Sequence, residues 1–79
     1  MRIDKFLKDS RIIKRRPIAK EACDQGRVLL NDTVAKPGDN VEVGDKIEIA
    51  FGTGELKVEV VKLIKNARKS EAETMYKVL

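Results

Sequence analysis

Histidine and tryptophan are absent from this 79-residue sequence, and Cys23 is its one cysteine. Those gaps exclude Cys/His zinc sites, histidine-based catalytic triads and any disulfide within the chain. Aromatic residues are limited to Phe6, Phe51 and Tyr76. Readers of loose single strands stack bases on aromatic platforms, so that mode of binding is excluded too. There is no apolar run of membrane-spanning length, and the charged opening Met1-Arg2-Ile3-Asp4-Lys5 does not lead into the apolar stretch of a signal peptide. A soluble, cytoplasmic protein is expected, and one cysteine among polar neighbours agrees with a reducing compartment.

What the chain does have is 42% hydrophobic and 38% charged residues, which supplies one small core and is too apolar for a disordered tail. Its length gives one domain, residues 1–79, with no room for a second. A chain of this size buries only about 60% of the surface its unfolded form exposes, which favours surface binding over an enclosed active site. The charge is uneven. Residues 1–27 carry nine Lys/Arg against four acids, whereas residues 28–79 carry eight against nine. A basic excess confined to one third of the chain points to a polyanion.

Helical angles counted from Ile3 put Phe6, Leu7 and Ser10 on one side and Asp4, Lys5, Lys8 and Asp9 on the other, which predicts an amphipathic helix. Asp4 suits the helix dipole, and Asp4/Lys8 and Lys5/Asp9 are spaced as i, i+4 ion pairs. A second helix is predicted over Pro17 to Gln25, with proline in its first turn and Gly26 as the left-handed residue after its end. Its apolar arc is Ile18, Ala19, Ala22 and Cys23, opposite Arg16 and Lys20. Between the helices, Ile12 and Ile13 anchor a loop whose other members, Arg11, Lys14, Arg15 and Arg16, are all basic.

After Gly26 the pattern turns to β. Val28-Leu29-Leu30 and Thr33-Val34-Ala35 flank an Asn31-Asp32 turn, and Ile47, Ile49 and Phe51 alternate with polar neighbours. Gly52-Thr53-Gly54 lacks the third glycine of a dinucleotide loop and reads as a hairpin turn. A long strand through Leu56, Val58 and Val60 to Ile64 is expected to close the sheet, and Ser70-Glu71-Ala72-Glu73 spells a capping box for one helical turn. The α+β expectation is therefore two N-terminal helices packed on a small, mainly antiparallel sheet.

Cys23 has no histidine to activate it and sits on the apolar side of its helix, so core packing is the better reading. The carboxylates recur at no spacing that would pair them for acid/base catalysis, most having a basic neighbour suited to solvated pairing. No catalytic residue, metal ligand or cofactor is predicted. Arginine makes up five of the nine N-terminal bases, and its planar fork suits bidentate phosphate contacts. Folded RNA, gripped through phosphates and shape, fits this inventory better than loose strands.

The ordered set Arg2-Ile3-Asp4-Lys5-Phe6-Leu7, Ser10-Arg11, Lys14-Arg15-Arg16, Ala19-Lys20, Gly26-Arg27-Val28, Asn31, Lys36-Pro37 and Val43-Gly44-Asp45-Lys46-Ile47 resembles the S-four RNA-binding domain over about residues 1–50. Residues 51–79 then supply a closing strand and tail. The resemblance implies two helices on a strongly bent sheet, with RNA held by the helices and the loop between them. By position it implies that Arg2, Lys5, Arg11, Lys14, Arg15, Arg16 and Lys20 face RNA, with Arg27 at the rim and Arg16 foremost, while Asp4 and Asn31 are structural. Asn31-Asp32 stands where the family commonly has Asn-Gly.

Within that family, the length and ending are similar to the ribosome-associated quality-control branch that stabilises P-site tRNA. That implies a monomeric cytoplasmic factor on the large ribosomal subunit, touching ribosomal RNA and peptidyl-tRNA beside a tail-elongating partner protein. The related heat-shock-protein-fifteen branch, which implies recycling of free large subunits carrying nascent chains, normally has a longer basic C-terminal extension. Two other classes remain. A protein-interaction module would use the sheet face and Leu56 to Ile64, and an RNA-modifying enzyme would need a catalytic domain that does not fit after residue 50.

Overall fold

A computed structural model describes residues 1–79. The first helix, α1, runs Ile3–Asp9, and its apolar stripe Ile3, Phe6 and Leu7 is fully buried. Ser10 and Arg11 end it, with Arg11 in the left-handed region at φ 61°. Ile13 packs into the core and fastens the loop, its N–H donating to the Leu7 carbonyl at 3.0 Å. Helix α2 spans Arg16–Asp24 with Pro17 in its first turn. At its end the Gly26 and Arg27 N–H groups reach back to the Cys23 and Ala22 carbonyls, the Schellman arrangement, and Gly26 supplies the required φ of 74°. Ala19, Ala22 and Cys23 are buried as expected, but Ile18 is 48% exposed. The two small alanines bring α2 close to α1 with that isoleucine left outside.

Five antiparallel strands follow: β1 Val28–Leu30, β2 Thr33–Val34, β3 Lys46–Phe51, β4 Gly54–Val60 and β5 Tyr76–Val78, in the order β2-β1-β3-β4-β5. Helix α3, Lys69–Ala72, and a single 3-10 turn, Glu73–Met75, precede β5. Three helices and an open antiparallel sheet make the fold α+β. One core joins α1, α2 and the sheet to Ala67 and Met75 near the C-terminus.

The second half departs from its sequence pattern in two places. β4 stops at Val60, because the Val61 and Lys62 N–H groups both turn to the Met75 carbonyl, at 2.7 and 3.1 Å, and β5 closes the sheet instead. The helical turn starts earlier than Ser70: the Arg68 N–H donates to the Glu71 carboxylate at 3.0 Å, so Glu71 and not Glu73 reaches back to the start of α3.

Asn31 and Asp32 both have positive φ, 50° and 68°, as a two-residue hairpin turn of the primed type requires. Glycine reaches that region without steric cost. Asp32→Gly should therefore raise the thermal midpoint by a few degrees, taking about 0.5 kcal/mol and 4–8 °C per kcal/mol for a chain of this size. A lowered midpoint in calorimetry would show that the aspartate side chain stabilises the turn.

Candidate nucleic-acid interface

Both aspartates of α1 are buried, contrary to the solvated face that their helical angles predict. Asp4 and Asp9 are 3% and 2% exposed. The i, i+4 pairing holds for Lys5 and Asp9, at 2.9 Å, but Asp4 pairs with arginines on either side of it in place of Lys8. From the start of α1, Arg2 places Nε 3.3 Å from Asp4 Oδ1 and Nη2 3.2 Å from Oδ2. From the start of α2, Arg16 places Nε 3.4 Å from Oδ2 and Nη2 3.4 Å from Oδ1. The Lys5 N–H donates to Oδ1 as well, at 2.8 Å. One buried carboxylate thus orients two guanidiniums whose side chains remain 54% and 44% exposed. With Pro17 and Lys20 they line a surface concavity of about 470 Å³ floored by Asp4.

Asp9 organises the other flank. Its Oδ2 accepts from Lys5 Nζ and, at 3.2 Å, from the Asn66 N–H, and Lys8 Nζ lies 3.5 Å from Oδ1. Burial pushes the Asp9 carboxyl up, but the Lys5 and Asn66 hydrogen bonds and the charges of Lys5 and Lys8 outweigh it, holding the group below its ordinary value. Lys5 also donates to Asn66 Oδ1 at 3.2 Å, so two of its three donors serve the protein's own framework. Here a concavity of about 520 Å³ is lined by Lys8, Asp9, Arg11, Lys14, Ala67 and Lys69.

The expected residues are thus divided. Arg2, Arg16 and Lys20 share one concavity, Arg11 and Lys14 share the other, and the exposed Arg15 lines neither. Lys5 is turned inward. Arg27 stands apart at the far end of α2, half-buried, its Nε without a hydrogen-bond partner. Sequence reasoning passed over Lys8 and Lys69 as lining residues. Lys8 stands one helical turn before Arg11, a signal the sequence did carry, whereas Lys69 is brought to α1 by tertiary contacts of Asn66 and Ala67. Cys23 lies in the core, and burial, helped by Asp4, Asp24 and Asp39, pushes its thiol up to about 11. Nowhere do three Asp, Glu or Cys side chains converge as a metal would need, and no helix is long and apolar enough to cross a membrane.

The family model for the S4 domain matches residues 1–47, more than half of the chain and the whole of the helix pair just described. The chain belongs to the S4 domain family. This S4 domain is 51% identical over 78 residues to the RQC P-site tRNA stabilizing factor of Halalkalibacterium halodurans, covering 99% of this chain and 89% of that protein. It is 47% identical to the factor of the same name from Bacillus subtilis, covering 100% of this chain and 92% of that one. Among solved structures, the trimeric heat shock protein 15 of Vibrio cholerae superposes with a TM-score of 0.94 at 31% identity, covering 100% of this S4 domain and 81% of that chain.

Proposed function

We propose that this S4 domain, residues 1–79 acting as one unit, is a non-catalytic RNA-binding factor. It docks on the large ribosomal subunit, contacts ribosomal RNA and P-site peptidyl-tRNA, and serves quality control of stalled nascent chains in the cytoplasm. The observation that carries the reading is the pair Arg2 and Arg16, both held on the buried Asp4 with their outer edges free, Arg2 by two hydrogen bonds and Arg16 by one hydrogen bond and an ion-pair contact. A guanidinium so fixed keeps donors for a phosphate. Lys20, Arg11, Lys14 and Arg15, none of them ion-paired, extend the positive surface, and Arg27 adds a further cation away from it at the end of α2. The relatives named as P-site tRNA stabilizing factors support the choice of target. The domain works as a monomer beside a tail-elongating partner protein.

About five phosphate contacts from this surface imply a log-log salt slope of roughly −4 to −5 on duplex RNA, by analogy with DNA counterion release. Binding to purified large subunits, measured from 50 to 200 mM salt, should show it, and a slope near zero would remove the electrostatic mechanism. The likeness to heat shock protein 15 favours a second reading, recycling of free large subunits carrying nascent chains. Obstructed subunits supplied with the tail-elongating protein separate the two. Faster tail elongation on adding this chain supports the quality-control role, and binding without any such gain supports recycling.

A further inference from the structure

Building on the RNA-binding reading, we propose that the cleft lined by Lys8, Arg11, Lys14 and Lys69 is a second RNA seat. It takes a stretch of phosphodiester backbone other than the one at Arg2, Arg16 and Lys20. Asp4 and Asp9, which floor the two concavities, are five residues apart on α1, hence about 140° around and about 7.5 Å along the helix. The two concavities therefore open on different flanks of α1.

Charge in the cleft is unspent. Four cations surround one carboxylate, and that carboxylate is already held by Lys5 at 2.9 Å. Lys8 is 3.5 Å away from it and 44% exposed, while Arg11, Lys14 and Lys69 are exposed and make no ion pair. Ala67 is the single apolar residue in the lining, which leaves an anion as the ligand.

The backbone of Arg11 supplies an independent argument. It occupies the left-handed position after α1, at φ 61°, where α2 uses Gly26 at 74°. A side chain in that region costs stability that glycine would not. No hydrogen bond or ion pair within the chain uses the Arg11 guanidinium, so nothing internal offsets that cost. The Arg11 guanidinium is therefore free for a ligand outside the molecule. Position 69 is likewise brought over by the fold, through the Asn66 N–H on Asp9, the Lys5 ammonium on Asn66 and the burial of Ala67. Exposed Arg15 stands in sequence between Lys14 of one seat and Arg16 of the other, a further unpaired cation between the two.

The test compares Arg11→Gly, Lys69→Ala, their combination and Arg16→Ala in full-length protein. The probes are purified large subunits and a folded tRNA transcript, with affinity measured against salt. Arg11→Gly should leave the thermal midpoint unchanged or higher. The combined cleft variant should bind at least one of the two probes about tenfold more weakly, with a slope shallower by about two, and Arg16→Ala should add its own loss. If Arg16→Ala weakens binding while the cleft variant matches the parent on both probes, the second seat is overturned and the RNA-binding reading stands. If neither matters, both fall. Unchanged RNA binding with weakened binding to polyglutamate would overturn the seat in favour of an acidic protein. Should Arg11→Gly lower the midpoint, the arginine is structural, and the exposed Lys69→Ala change alone decides.

Discussion

Replacing Arg2 and Arg16 together by alanine should weaken association with large ribosomal subunits by about 10- to 100-fold, taking about 1.4 kcal/mol per tenfold and roughly that for each phosphate interaction removed. Exposed substitutions usually change stability by about 0.5 kcal/mol or less, but these two will not. Both guanidiniums belong to a carboxylate whose side chain is 4% exposed, and without them Asp4 keeps just the Lys5 N–H. A buried acceptor left in that state costs about 1–3 kcal/mol. Adding Asp4→Asn removes the orphaned charge and should recover most of the thermal midpoint without recovering binding. Calorimetry and co-sedimentation with subunits read the two effects separately. Recovery of binding in the triple variant would mean that the arginines act only by holding the fold.

Asp9→Asn should cost about 2 kcal/mol at neutral pH, since it weakens charge-assisted interactions with Lys5, Lys8 and the Asn66 N–H at once. The loss should depend on pH. Asp9 titrates below its ordinary value of 3.8 when folded, so its stabilisation is complete above that value and fades as pH falls through the folded one. Parent and variant should therefore differ most above the ordinary carboxylate range and converge as the pH falls below it. A gap that stays constant over that range would assign the effect to packing. Hydrogen exchange at Asn66 and Ala67 should rise in the variant, because the C-terminal segment is fastened to α1 there.

The α1 stripe, the Pro17 and Gly26 ends of α2 and the Asn31-Asp32 hairpin were legible in the sequence because each is written in residues a few positions apart. The two aspartates were misplaced for the opposite reason. Angles around one helix put them with Lys5 and Lys8, but Asp4 is covered by Arg16, and Asp9 by Asn66, residues that only the folded chain brings near. The end of β4 was invisible in the same way, since the Met75 carbonyl that turns the chain lies 14 residues beyond Val61. Of the basic surface, the shared side of Arg16 and Lys20 was readable, and so was the basic loop, whereas the meeting of Arg2 with them over Asp4 was not. The inward turn of Lys5 was not, because its neighbour Asn66 belongs to the far end of the chain.

The shared carboxylate beneath Arg2 and Arg16 bears on how fast recognition can be. An arginine has five N–H donors in a rigid plane, and Asp4 accepts from two of them on Arg2 and from one on Arg16, whose Nε lies 3.4 Å away. The rotamer freedom that binding would otherwise remove, about 0.5–1.5 kcal/mol for each such side chain, is largely gone before a partner arrives. Lysine at either position would preserve the field and lose the angle. The encounter complex then has little side-chain searching left to do, and the geometry of the waiting forks filters out anions that present their oxygens at the wrong spacing.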